Sequence, residues 1–84
     1  MTLYQFKSKH ESEQTDIVDV KGELIAEREE KFCSVQLYQV GSFYVEVYRH
    51  NHFNVVTRVS SFKNTKQLDP YLKQINIEEI LSSL

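Results

Sequence analysis

Phe32–His50, FCSVQLYQVGSFYVEVYRH, is the stretch that decides the fold. On both sides of Gly41-Ser42, β-branched and aromatic residues alternate with polar ones at a period of two, the pattern of paired strands rather than of a helix. Gly41 takes a positive φ at no steric cost, so Gly41-Ser42 reads as a two-residue type II′ hairpin turn. A turn of that length fixes register. Facing residues then have numbers that add to 83, which sets Cys33 across from His50.

Working outward, the same period of two extends from Glu23 to Phe62 and divides into strands at about 23–29, 32–40, 43–50 and 53–62. Asn51-His52 suits a primed turn because Asn tolerates the left-handed region, and Glu30-Lys31 is the remaining break. Three successive hairpins make an antiparallel meander. Upstream, Leu3–Lys7 alternates and is expected as a short edge strand, while Ser8 and Glu11 have capping-box spacing for a helix over about Lys9 to Lys21 that Gly22 ends. Downstream, Asp69-Pro70 starts a helical turn running to Gln74. Asn76 and Glu79 cap a second helical stretch, Ile77 to Leu84, whose Ile77, Ile80, Leu81 and Leu84 form one stripe. The expected architecture is a single α+β domain over residues 1–84: an N-terminal helix, a four-stranded antiparallel β-meander and a C-terminal helical segment packed on the sheet.

The turns sort the strand residues between two faces. Leu24, Ala26, Cys33, Val35, Leu37, Tyr44, Tyr48, Phe53, Val55 and Val59 fall together and read as the core, with the terminal helices over them. The opposite face carries Glu23, Glu27, Glu29, Arg49 and Arg58, yet its centre holds Tyr38, Val40, Phe43, Val45, Val47, Val56 and Phe62. An apolar patch of that extent on a charged face points to a partner. The expected interface is Tyr38, Phe43, Val45, Val47 and Val56, rimmed by Arg49 and Arg58, for a homodimer or a protein partner; the competing reading covers this face with the N-terminal helix.

Composition removes several function classes. The 84 residues contain two Gly and one Pro, so neither a G-x-G-x-x-G fingerprint nor a P-loop is present. The formal charge of −2 conceals a split: residues 1–30 sum to −4, residues 31–75 to +4 and the remainder to −2. The basic middle holds eight of the ten aromatic residues, the makings of a base-stacking sheet. Without an RNP-like run the reading still goes against nucleic acid. The lone Cys33 cannot form an internal disulfide, and Met1–Lys7 lacks an apolar run of signal-peptide length, so a cytoplasmic location without membrane insertion is expected.

The alternative site is a pocket of Cys33, Tyr44, Glu46, Tyr48 and His50, for a small ligand or for catalysis. Cys with His is the simplest thiolate nucleophile pair. A small buried thiol beside a strand-end histidine is the plainer reading, and no oxyanion-hole motif accompanies it. His50 and His52 with Cys33 also have zinc-type donors, but a tight turn makes the histidines diverge and a fourth ligand is missing. No catalytic residue, metal or cofactor is therefore assigned. Glu46, mid-strand on the presumed core face, needs hydrogen-bonding partners. Thr57, Tyr44, Tyr48 and His50 are candidates; otherwise the two faces are assigned the wrong way round.

The segments Leu24-Ile25-Ala26-Glu27-Arg28, Gly41-Ser42-Phe43-Tyr44-Val45-Glu46-Val47, Ser61-Phe62 and Leu68-Asp69-Pro70-Tyr71-Leu72 resemble a group of small uncharacterised bacterial proteins. That resemblance implies a stand-alone cytoplasmic domain and carries no activity with it. The function expected from the residues is a small protein-interaction module, with the pocket as its alternative.

Overall fold

In the computed structural model, which describes residues 1–72, the order is α1 (Leu3–Lys7), α2 (Glu11–Lys21), β1 (Glu23–Glu29), β2 (Cys33–Val40), β3 (Phe43–His50), β4 (Val56–Phe62), a 3₁₀ turn (Thr65–Leu68) and α3 (Asp69–Leu72). The four strands form one antiparallel sheet in the order β1-β2-β3-β4. The α+β class and the meander are as the alternation predicts. The helix expected over Ile77–Leu84 lies outside the described residues.

Local chemistry explains where the elements begin and end. Leu3–Lys7 is a helix and not an edge strand, because Thr2 and Gln5 close a capping box: the Gln5 N–H donates to Thr2 Oγ1 at 3.1 Å and the Thr2 N–H to Gln5 Oε1 at 2.9 Å. Ser8, expected to cap the second helix, instead ends the first and donates its hydroxyl to the Gln5 carbonyl. Gly22 ends α2 with φ −80°, so the position requires space rather than a left-handed backbone; a Cβ there would stand 2.5 Å from the Val18 carbonyl oxygen. Asn64 caps the 3₁₀ turn through the Lys66 N–H, and Asp69, itself in helical conformation, is the first residue of α3, so a helical turn starts at Asp69-Pro70 as expected.

The central hairpin has the expected register, Cys33 facing His50 and Val40 facing Phe43, with Gly41 at φ +57°. The outer hairpins differ. Glu30 and Cys33 exchange backbone hydrogen bonds, which makes Lys31-Phe32 the turn, and a bulge at Ile25 moves Leu24 opposite Tyr38. The β3–β4 connection is a four-residue loop, Asn51–Asn54, closed by His50 N–H to the Val55 carbonyl at 2.9 Å, with Asn54 in the left-handed region at φ +54°. A bulge at Thr57 follows. The longer loop and the bulge shift β4, so Glu46 faces Ser60 and not Thr57, and Val59 and Phe62 exchange faces relative to expectation.

The face expected to be a partner surface is the main core. Phe43, Val45 and Val47 are buried with Val40 beneath Phe6 and Val18, and Tyr38, Val56 and Val59 pack around them with Leu3 and Ile17. Phe6 and Phe43 meet with ring centroids 5.3 Å apart, and Gln14 Nε2 donates to the Phe6 carbonyl at 2.9 Å, tying α2 to α1. Reading Leu3–Lys7 as a strand removed Phe6, the side chain that covers this face. Arg49 stays partly exposed at its margin, while Arg58 points to the other side of the sheet opposite Tyr48. That other side holds a second cluster of Leu37, Phe62 and Tyr71 with Ala26, Tyr44 and Leu68, covered by the 3₁₀ turn and α3. Phe53 and Val55, expected in the core, are exposed.

Candidate functional site

Glu46 projects from the middle of β3 to the α3 face, where it is 6% exposed. A carboxylate removed from water needs hydrogen bonds and a counter-charge. Both are present: the Tyr71 hydroxyl donates to Glu46 Oε2 at 2.6 Å, and Arg28 Nη2 donates to the same oxygen at 3.2 Å. Arg28 Nη2 also donates to the Tyr48 hydroxyl at 3.0 Å, and Nη1 pairs with Glu30 at the sheet end. The guanidinium stands 5.4 Å from the Tyr71 ring centroid and 5.7 Å from that of Tyr48, and Arg58 stands 5.2 Å from Tyr48. Tyr71, Arg28, Tyr48 and Arg58 thus form one alternating stack of rings and cations, each contact favoured by the ring quadrupole.

The protonation equilibria follow this packing. Burial alone would lower the Arg28 pKa, but contacts with Glu30, Tyr71 and Glu46 outweigh it and hold the guanidinium above its ordinary value. Burial raises the Tyr71 phenol well above its usual range, and the bond to Glu46 adds to the effect. Tyr71 therefore stays a donor across neutral pH. Chemically this cluster is a clasp between β1, β3 and α3, with Glu46 Oε2 engaged by both Arg28 and Tyr71.

The expected pocket residues Cys33, Tyr44, Glu46, Tyr48 and His50 share this face, as the central register requires. They divide into three groups. Tyr44 stacks on Phe62 at 5.7 Å within the apolar cluster, and Glu46 and Tyr48 join the clasp. Cys33 and His50 sit at the far end, where Cys33 Sγ lies 3.9 Å from Thr57 Oγ1 and His50 Nδ1 accepts the backbone N–H groups of His52 and Phe53 at 3.1 and 3.3 Å. His50 is thus engaged by its own loop, and no hydrogen bond joins it to Cys33 among the described residues. Nor do those residues contain a group of three or more His, Cys, Asp or Glu placed to hold a metal ion.

Arg28 and Tyr71 are the two residues of this clasp that sequence reading assigned to no site. Arg28 was within reach, since it shares parity with Ala26 on the face that holds Glu46. Tyr71 was not, because no periodicity says where a four-residue helix docks.

At the same end of the sheet, two connections meet. The Asn51 N–H donates to the Phe32 carbonyl at 3.0 Å and Ser34 Oγ to Asn51 Oδ1 at 2.7 Å, so the Lys31-Phe32 turn and the Asn51–Asn54 loop are held side by side. Both present apolar side chains to solvent: Phe32 is 63% exposed, Phe53 69% and Val55 53%. Phe53 is braced by His50 and His52, with ring centroids 5.0 and 4.8 Å away, and Lys31 lies 5.6 Å over the Phe32 ring. No helix of the described residues is long and apolar enough to cross a membrane. No family model matches this chain, and no curated protein and no solved structure is significantly similar to it.

Proposed function

We propose that the chain is a small protein-binding module whose contact surface is the end of the sheet bearing Phe32, Phe53 and Val55. The observation that carries this reading is the pair of exposed phenylalanines on two hydrogen-bonded connections. Apolar side chains scattered singly are ordinary, whereas aromatic residues braced together are what anchors an interface. Lys31 and His52 supply a polar rim, so the partner is a protein surface with an apolar recess for one or both rings. A photo-crosslinking residue at Phe53 tests this. It is expected to give one discrete adduct that Phe32→Asp abolishes, whereas the same residue at Tyr4 on α1 gives none. Equal adducts from both positions, or no adduct at Phe53, would overturn the reading.

The second reading, a small-ligand or enzymatic pocket around Cys33, Glu46 and His50, is favoured by one observation. Arg28 Nε is buried and finds no partner among the described residues, and such an atom is normally satisfied. Alkylation of Cys33 only after unfolding would remove the nucleophilic version.

A further inference from the structure

The two edges of the sheet differ in how they meet a second strand. Neither β1 nor β4 makes a backbone hydrogen bond outside the sheet among the described residues, so each has a side that no described residue pairs. Such an edge is a template for another chain unless charge or irregularity blocks it. β1, with sequence ELIAERE, is blocked: it carries three glutamates against one arginine, and the bulge at Ile25 breaks its ladder. Two copies paired antiparallel about Ala26 would set Glu23 against Glu29 at both ends, and directly opposed like charges repel.

β4, with sequence VTRVSSF, has no acid and one base, and its ladder is regular from Arg58 to Phe62. Paired antiparallel with a second copy about Ser60, it sets Val59 across from Ser61 and Arg58 across from Phe62. No like charges meet across this pairing. We propose that two copies of this chain associate through β4 around a two-fold axis near Ser60, joining their sheets into one of eight strands. The contact is self-complementary and closes at two copies. Pairing β1 of one copy with β4 of another also brings opposite charges together, but it is heterologous and grows without limit. A five-residue ladder buries less than the roughly 1,200 Å² of a standard interface, so the expected Kd is on the order of tens of micromolar. The two Phe32–Phe53 ends then point in opposite directions, leaving the dimer bivalent for its partner.

Sedimentation velocity between about 5 and 500 µM tests the proposal, with a doubling of mass expected across that range. Ser60→Lys places two ammonium groups at the axis and is expected to hold the chain as a monomer throughout, while Ile25→Lys on β1 leaves the dimer unchanged. A spin label on Thr57→Cys in a Cys33→Ser background reads the dimer without disturbing its axis; a copy-to-copy separation below about 30 Å is expected from the strand rise. A monomer at all concentrations, a dimer unaffected by Ser60→Lys, a longer separation, or a mass that keeps growing until Ile25→Lys stops it would each overturn the two-fold β4 contact.

Discussion

Beneath α1 and α2 the sheet presents Val40, Phe43, Val45 and Val47 to Phe6 and Val18; beneath α3 the alternate residues of the same strands present Tyr44, Glu46 and Tyr48 to Arg28 and Tyr71. Side chains one position apart on β3 therefore depend on different physics. The first face is held by area removed from water and by shape, which is non-directional and tolerates apolar exchange. The second is held by directed hydrogen bonds and an ion pair whose desolvation offsets much of its attraction. Truncation should be most damaging on the first face, and unpairing on the second.

Phe43→Ala tests the first half of that comparison. It removes the ring against Phe6 from a site that is fully buried, and a loss of about 3–5 kcal/mol is expected in urea unfolding, the range for buried Phe to Ala. Phe43→Leu should recover most of it. If Phe43→Ala cost less than about 1 kcal/mol, α1 and α2 would not be packed on this face as described.

Arg28→Met tests the second half. It leaves the Glu46 carboxylate buried without its cation, for an expected loss of about 2–4 kcal/mol. Arg28→Met combined with Glu46→Leu removes both charges and should be more stable than Arg28→Met alone. Additive losses in that double-mutant cycle would show that the ion pair has no energetic coupling.

Tyr71→Phe deletes the hydroxyl on Glu46 while keeping the ring over Arg28, so it isolates the hydrogen bond. A loss of about 1.5–3 kcal/mol is expected for a bond to a charged acceptor. The pH dependence follows from the sign of the shift. Burial and Glu46 raise the Tyr71 pKa above that of the unfolded chain, so the native state keeps a proton that the unfolded state releases. This contribution is complete below about pH 10, the ordinary tyrosine value, and declines as pH rises beyond it. Tyr71→Phe should flatten the alkaline loss of stability without removing it, because burial and Asp19 also raise the Tyr38 pKa. An unchanged alkaline slope would detach Tyr71 from Glu46.

How far each face could be read in advance depended on how local its determinants are. Gly41-Ser42 is flanked by seventeen residues of unbroken alternation between Phe32 and His50, so the central register and the Cys33–His50 pairing were legible. Polarity misled in assigning the faces: Glu27, Glu29 and Arg49 lie at the margins of the α1–α2 face, and their charges hid an apolar centre covered by Phe6. The mid-strand position of Glu46 already signalled that the face reading was under strain, since a lone carboxylate in a core contradicts its surroundings. The clasp itself joins residues 28, 46 and 71, and nothing in local pattern reports contacts at such separations.

The pairing of β4 begins at Asn54, the residue whose left-handed backbone lets a four-residue loop replace the expected two-residue turn, and the bulge at Thr57 then exchanges the faces of the residues that follow. Asn is tolerated at φ +54° where a β-branched residue is not. Asn54→Gly should change stability by no more than about 0.5 kcal/mol, since relief of the backbone is offset by the greater freedom of glycine in the unfolded chain. Asn54→Val should cost about 1–2 kcal/mol if the loop keeps its form. NMR of that variant carries the sharper information. If the Glu46–Ser60 and Val47–Val59 cross-strand contacts persist, the β4 register is set by burial of Phe62 and Val59 on their respective faces. Their replacement by contacts shifted along β4 would make the loop conformation at Asn54 the determinant of the β4 register.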